Sequence, residues 1–401
     1  MAPLSSALSG SHYLNGTDIT AELAEKIDDL KKALGEELLK EAWFYADDFS
    51  LLRWLYGWDF KIAEIVPRFK KSAYRLIALK IHEVSIDDVA ECNEYLNKLV
   101  PWAQYYPGGI MSIDNEGNPI LVQTVCKVHP KSLIQCDRVS QLFRLILTET
   151  FLVYMFMLKN EKRTNRKLGL RMIIDMEGFN KDLIHPTNMK NYLNLLSLIQ
   201  DTFPDCARNI FIINAPMMMS AVYAIVKPAL AKQTQEKIVF LGKDFRQKLC
   251  EKLGRENVLE RWGGDLKASN GLETGHLRIG GVVPEDLYYN PSKNTYHVPS
   301  DKLTKVNVTA GRRKEVQVSV PQAGAKLHWF WTATNDIDFY VEDKTGNEIF
   351  PRMRLTTDYV PEFGHIEVTT EGEYTVVFDN SHGRVFSKDV KYHVYVEVNQ
   401  D

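Results

Sequence analysis

Near residue 265 the pattern of apolar residues changes its period, and this change limits what the chain can fold into. Before it, strand-like runs alternate with helical ones. Residues 120–127, 170–175 and 209–214 read as strands, whereas 140–159 and 188–203 carry apolar residues at helical spacing. Such alternation predicts an α/β unit, a mostly parallel sheet covered by helices. After Trp262-Gly-Gly-Asp265 the chain runs through a stretch rich in Gly and Pro turns. Short alternating segments then follow at 306–308, 315–320, 327–331, 338–342, 364–369, 374–378 and 391–398. No helical period is present there, and the pattern predicts an all-β sandwich. Alternation places Trp329, Phe330, Trp331, Phe339 and Tyr340 mainly in its core.

The first hundred residues are different again. Residues 1–35 read as a polar tail running into a helix, with Thr20 as cap and Leu23, Ile27, Leu30 and Leu34 on one face. Residues 36–100 read as short helices packed on one another. The expected organisation is therefore a tail and helix (1–35), a helical lobe (36–100), an α/β domain (101–268), a linker opening the last domain (269–300) and a β-sandwich (301–401).

Charge excludes one class of partner. Of 401 residues 25% are charged, and the formal net charge is −3. Before Gly275 there are 35 basic and 34 acidic residues, and after it 14 and 18. Neither part offers the concentrated positive face that nucleic acid requires. The N-terminal residues lack the basic start and apolar core of a secretory signal. The most apolar helical stretch, 142–158, is interrupted by Arg144 and Glu149, so no membrane span is expected. Cys92, Cys126, Cys136, Cys206 and Cys250 are odd in number and scattered, which fits reduced thiols in a cytoplasmic protein. The acceptor patterns at Asn15 and Asn307 are accidental in that compartment.

Enzymatic constellations are missing: there is no GxSxG, HExxH, GxGxxG or phosphate-binding loop. Ten histidines lie singly, without metal-ligand spacing. No catalytic residue, cofactor or metal is expected. Asp175, at the end of a strand, could serve as an acid, but a carboxylate that receives turn amides is the plainer reading. The unusual stretch is 214–228, uncharged from Ala215 to Val226 and containing Met217-Met-Met219. A helix apolar all round is either buried or faces something apolar besides the core. Three adjacent flexible Met side chains suit a wall that adapts to a guest. Both readings, core helix and mobile wall, stay open on this stretch alone.

Several motifs occur in a fixed order. They are Asp47-Asp-Phe-Ser-Leu-Leu-Arg-Trp-Leu55, Tyr105-Tyr-Pro-Gly-Gly109, Asp114-Asn-Glu-Gly-Asn-Pro119, Ile173-Ile-Asp-Met-Glu-Gly178 and Ile212-Ile-Asn-Ala-Pro216. Lys227-Pro-Ala-Leu230, Thr234-Gln-Glu-Lys-Ile238, Leu241-Gly242 and Arg261-Trp-Gly-Gly264 follow, and then Gly372-Glu-Tyr-Thr-Val-Val-Phe-Asp-Asn380. Over about residues 40–400 this set resembles the CRAL-TRIO lipid-binding family, in the subgroup where that domain precedes a GOLD domain. The resemblance implies that 101–268 holds an apolar pocket gated by a helix near 215–226. Its gate and pocket candidates are Met172, Ile174, Ile212, Met217, Met218, Met219, Val222, Tyr223 and Val226. In the phosphatidylinositol-transfer branch an acid, a Thr and a Lys three residues later contact the head group. The corresponding residues here are Asp205, Thr234 and Lys237, although Lys237 also reads as a surface lysine near a helix end.

Two departures stand out. Trp58 and Asp59 occupy the positions of that branch's basic pair, and Leu170 and Met172 those of two hydroxyl residues that serve phosphatidylcholine. They turn the expectation from a strict inositol/choline exchanger towards a more apolar ligand or a looser phospholipid preference. The implied function is to bind one lipid or lipophilic molecule (a phospholipid, sterol precursor or tocopherol-like compound) and to transfer or present it. The implied partners are that ligand, a transient membrane surface, and a protein partner of the GOLD-like domain. The implied location is cytoplasmic, with peripheral association to Golgi or other membranes. The alternative is a non-transferring adaptor in Golgi or secretory traffic, acting through the GOLD-like domain. Arg312-Arg313-Lys314 reads either as a contact for anionic lipid or as a solvated turn.

Overall fold

The computed structural model describes residues 16–179 and 181–398. Sequence readings on residues 1–15, including the Asn15 pattern, lie outside the described residues. The chain divides into two compact units. One consists of the chain up to Ala73 with His82–Pro130 and Leu145–Val282; the other consists of Tyr74–Ile81, Lys131–Arg144 and the chain from Val283.

In the first unit the helical lobe forms where capping and periodicity coincide. Thr20 accepts a hydrogen bond from the Leu23 amide and starts the helix Ala21–Leu34, whose buried face is Leu23, Ile27, Leu30 and Leu34. Asp47 caps Asp48–Gly57 in the same way through the Ser50 amide. Every residue from Phe49 to Tyr56 in that second helix is buried. Around it Phe44, Tyr45, Trp54 and Phe69 pack edge to face, with the Tyr45 hydroxyl donating to the Thr202 carbonyl at 2.5 Å.

The α/β part carries a five-stranded sheet in the order β1 (Gly109–Ile113), β2 (Pro119–Gln123), β3 (Leu170–Asp175), β4 (Ala207–Ile213) and β5 (Ile238–Phe240). β1 runs antiparallel to β2, and the remaining pairs are parallel. The parallel pairs need crossovers, which the helices Val139–Thr164, Pro186–Thr202 and Met219–Val226 supply. One sheet face is a closed core: Ile120, Val122, Ile173, Phe211 and Ile213 pack against Phe245, Leu249 and Leu253 of the helix Phe245–Leu253 and against Trp262. The sequence reading ended β2 late, because residues 125–127 coil into a short 3₁₀ turn.

The helix Val139–Thr164 contains the most apolar helical stretch of the sequence. By length and composition it could cross a membrane despite Arg144 and Glu149. Yet 72% of its most apolar window is buried within the protein, as in a core helix, and Glu149 is paired there with Arg278.

The second unit contains two antiparallel four-stranded sheets. In chain order the strands are β6 (Thr304–Val308), β7 (Arg313–Val320), β8 (Lys326–Ala333), β9 (Ile337–Glu342), β10 (Glu348–Leu355), β11 (Glu362–Glu367), β12 (Gly372–Asp379) and β13 (Lys388–Glu397). The sheet orders are β10-β9-β12-β7 and β11-β8-β13-β6. Between the sheets Trp331 meets Phe339 and Phe378, with ring centroids 5.1 and 5.5 Å apart. Phe330 and Tyr340 are also buried, but on outer faces. Phe330 lies beside Phe363 and His297, and Tyr340 lies beneath the Arg352 guanidinium at 4.0 Å. The expectation of sandwich core is thus corrected for these two, because adjacent residues of a strand face opposite sides and their cover comes from elsewhere in the chain. β10 was absent from the sequence reading because Pro351 interrupts its pattern. It is an edge strand with an irregular register around Pro351, a setting in which proline is tolerated.

Candidate functional site

The open face of the first unit's sheet carries two cross-strand rows. Leu121, Met172, Ile210 and Ile238 form one, and Gln123, Ile174, Ile212 and Phe240 the other. Side chains on neighbouring strands at these registers touch, so the rows make one continuous apolar surface ending at Gln123. Leu121, Gln123, Ile210 and Ile212 are buried in it, and the accessible members are Met172, Ile174, Ile238 and Phe240. Ile173 on the closed face has no exposed surface, whereas Met172 and Ile174 on the same central strand are half-buried. A strand flanked on both sides leaves its side chains open only where the layer above does not fill the space.

That layer is the helix Met219–Val226. Asn214 begins the approach to it, with φ of 52°, a left-handed conformation that Asn tolerates, and it donates to Asp175 at 2.8 Å. Met219 then packs into the cluster of Cys126, Met176, Ile174, Ile212 and Ile238, and Tyr223 meets Phe240 edge to face at 5.6 Å. Val222 is the helix's one buried residue; Tyr223 and Val226 are half-buried. Met217 and Met218 face outward, Met217 wholly exposed and Ile225 about half. Of the three methionines, only Met219 therefore touches the sheet face. An eight-residue helix held mainly by one valine and its neighbours is weakly attached. Its C-terminal connection is firmer. Gln200 donates to the Ala229 carbonyl at 2.7 Å and accepts from the Ala231 amide at 2.6 Å, and Gln235 donates to the Lys227 and Leu230 carbonyls.

Asp205 and Lys237 are brought together at the ends of β4 and β5. Asp205, left-handed with φ of 51°, binds Lys237 at 2.6 Å and Lys167 at 3.0 Å. Its carboxylate is fully buried, the Lys167 side chain is 1% exposed and that of Lys237 is 9%. Burial pulls the Lys167 ammonium down from its ordinary pKa, while Asp205 opposes the shift. The neighbouring Tyr56 phenol is pushed up to about 12 by burial and by the Asp205 charge. Arg53 and Glu161 form a second buried pair nearby, tied to the Leu168 carbonyl and amide. These five charges leave a surplus of one positive, and its most accessible member is Lys237. Thr234 is half-buried, and its carbonyl accepts from the Lys237 amide at 3.1 Å. Trp58 carries the Arg68 guanidinium 4.0 Å above its ring, so a cation does reach the position that lacks the basic pair.

The opposite end of the open face is also polar. Gln123 donates to Glu149 at 3.1 Å, and Glu149 pairs with the fully buried Arg278, whose Nε donates to the Tyr106 carbonyl at 2.7 Å. Asp175 has neither oxygen available for chemistry. One accepts from the Glu177 amide and Asn214, the other from the Trp262 indole at 3.0 Å. Among the described residues no group of three or more His, Cys, Asp or Glu could hold a metal ion. The Cys126 thiol beneath the helix is pushed up to about 12, chiefly by burial, which makes it an apolar wall group.

Sequence reasoning missed Ile210, Ile238 and Phe240 of the open face. Ile210 was available from the period of two that runs through Ile212. Ile238 and Phe240 sit on a three-residue strand too short to show a period.

Known proteins resemble parts of this chain. Residues 103–264 match the model of the CRAL/TRIO domain. The chain is similar to protein ctg-1 of Caenorhabditis elegans, 25% identical over 88% of this chain and 92% of that protein. It is also similar to the Sec14 cytosolic factor of Schizosaccharomyces pombe, 26% identical over 57% of this chain and 78% of that protein. Among solved structures, that of Sfh5 covers 67% of this chain and 94% of its own, at 15% identity and a TM-score of 0.44. Residues 103–264 are thus a CRAL/TRIO domain, and these matches support lipid binding or transfer in general.

Proposed function

We propose that this chain carries one lipid on the open face of the sheet, beneath the helix Met219–Val226, and gives it up at a membrane when that helix moves. The observation that supports this is the half-open state of Met172 and Ile174 in the centre of the sheet, under a helix that buries only Val222. Each methylene moved from water to such a surface gains about 0.8 kcal/mol, so a diacyl lipid with about 30 of them needs an enclosure on the order of 20 kcal/mol deep. The ligand's polar end would meet Lys237 and Thr234, with Asp205 acting as the anchor that holds Lys237 in place. Leu170 and Met172 favour a ligand with little polarity near the first core strand. A cytosolic location fits the similarity to the Sec14 cytosolic factor of Schizosaccharomyces pombe.

Native mass spectrometry of the purified chain, with lipid extraction of the same sample, tests the reading. One lipid per chain is expected, and Val222→Asp should lower its occupancy at least about tenfold while the fold is kept. A chain that takes up no lipid from cells or liposomes would instead point to the adaptor reading.

A further inference from the structure

In the second unit, the loop from Asn380 to Ser387 carries two adjacent apolar side chains that pack on nothing. Val385 is 74% exposed and Phe386 79%. Single exposed apolar residues are ordinary, but a neighbouring valine and phenylalanine at a loop tip have no folding reason to be there. The tip is nonetheless fixed in place. Asn380, 1% exposed, donates to the carbonyls of both Val308 and Phe386 at 3.1 Å. Its own amide donates to the Arg312 carbonyl at 2.9 Å, and its carbonyl accepts from Gly311 at 3.0 Å. This one side chain and its backbone bind the Val385–Phe386 loop to the turn that carries Arg312, Arg313 and Lys314.

The charge around the tip is unbalanced. Glu315 is paired with Arg313 at 2.7 Å, Asp379 with Arg352 at 3.1 Å, Asp338 with Arg354 at 2.8 Å and Asp336 with Lys388 at 3.6 Å. Arg312, Lys314 and Arg384 are exposed, and among the described residues none of them has a carboxylate partner. The local surface therefore presents two apolar side chains beside three uncompensated cations and one exposed carboxylate, Asp389, which accepts from Asn307 at 2.6 Å. That pairing matches the interface of a bilayer with anionic head groups, where the apolar tip enters the acyl boundary and the cations meet phosphate and carboxylate.

We propose that Val385 and Phe386, with Arg312, Lys314 and Arg384, form a membrane-docking tip that seats the second unit on an anionic phospholipid surface. The inference does not depend on what the first unit's sheet face holds. The test uses the full chain with vesicles of phosphatidylcholine alone and of phosphatidylcholine with phosphatidylserine. The chain should sediment with the anionic vesicles, and added salt should release it. Val385→Ser with Phe386→Ser should weaken that binding at least about tenfold, and Arg312→Glu with Lys314→Glu and Arg384→Glu should remove the preference for phosphatidylserine. A separate readout follows the tip itself: Val385→Cys labelled with an environment-sensitive dye should shift to the blue on anionic vesicles only. If the chain ignores anionic vesicles, or sediments with them while the labelled tip keeps its aqueous emission, the tip is not a membrane contact and a protein partner is the better occupant.

Discussion

The Asp205 side chain, fully buried, stands between two lysines. Asp205→Ala would leave Lys167 and Lys237 facing each other in a region that already lowers the proton affinity of Lys167. Breaking a buried pair in this way costs about 3–5 kcal/mol, and the urea midpoint should fall accordingly. Lys237→Met is the informative partner variant. It leaves Lys167 and Asp205 as a balanced pair, so stability should change by less than about 1.5 kcal/mol, whereas uptake of lipids with anionic head groups should drop. Equal losses of stability in the two variants would mean that the triad is purely structural. Glu362 is a second buried carboxylate, in the other unit, and burial raises its pKa to about 7 although Arg138 and the Ser140 hydroxyl oppose the shift. The folded state then holds a proton that the unfolded chain releases near 4.5. Stability from this group is full below that value, declines as pH rises through 7, and is level beyond it. The whole effect is roughly 3 kcal/mol. Glu362→Gln should therefore gain on the wild type between those limits; parallel pH–stability curves would show that Glu362 is charged in the fold.

At the scale of elements, the helix Met219–Val226 depends on its C-terminal connection more than on its own packing. Gln200 fixes the turn at 229–231 with both ends of its amide. Gln200→Ala should speed amide exchange in residues 227–231 and in the helix, each lost hydrogen bond being worth about 1 kcal/mol locally, without moving the global urea midpoint by a comparable amount. Unchanged exchange there would place the restraint in Gln235 instead. This connection was not legible in the sequence. The apolar run from Ala215 to Val226 announced a special helix, and the resemblance placed it over a pocket, but nothing in that run says which of Met217, Met218 and Met219 turns inward. Helical phase relative to the sheet decides it, and that phase is set by Asn214 and by glutamines 15 and 9 residues outside the run. Strands of five or more residues with a clean period, such as β3, were readable from local pattern. β5 was too short and β10 was hidden by its proline. The Asp205 cluster was half legible: Asp205 and Lys237 came from motif correspondence, but Lys167 lies 38 residues before Asp205 and belongs to no motif.

At the scale of the whole molecule, the division into an α/β unit and a β-sandwich was the most legible feature, because a change of hydrophobic period is local. The assignment of Tyr74–Ile81 and Lys131–Arg144 to the second unit was not, since it depends on contacts that close only in three dimensions. The division has a thermodynamic consequence. A ligand that binds only the folded state adds RT ln(1 + [L]/Kd) to stability, about 4 kcal/mol at a thousandfold excess over Kd, and it adds it where its contacts are. A lipid on the open face would cover Met172, Ile174, Ile210, Ile212 and Ile238, so protection should rise in β3, β4, β5 and the helix Met219–Val226. The amides of β8, β9 and β12 already belong to a sandwich closed by Trp331, Phe339 and Phe378. Hydrogen exchange on the lipid-loaded and lipid-stripped chain separates the possibilities. Protection confined to the first unit supports a carrier whose cargo sits on the sheet face. Protection that appears in the sandwich while β3 to β5 stay unchanged would put the lipid somewhere else entirely.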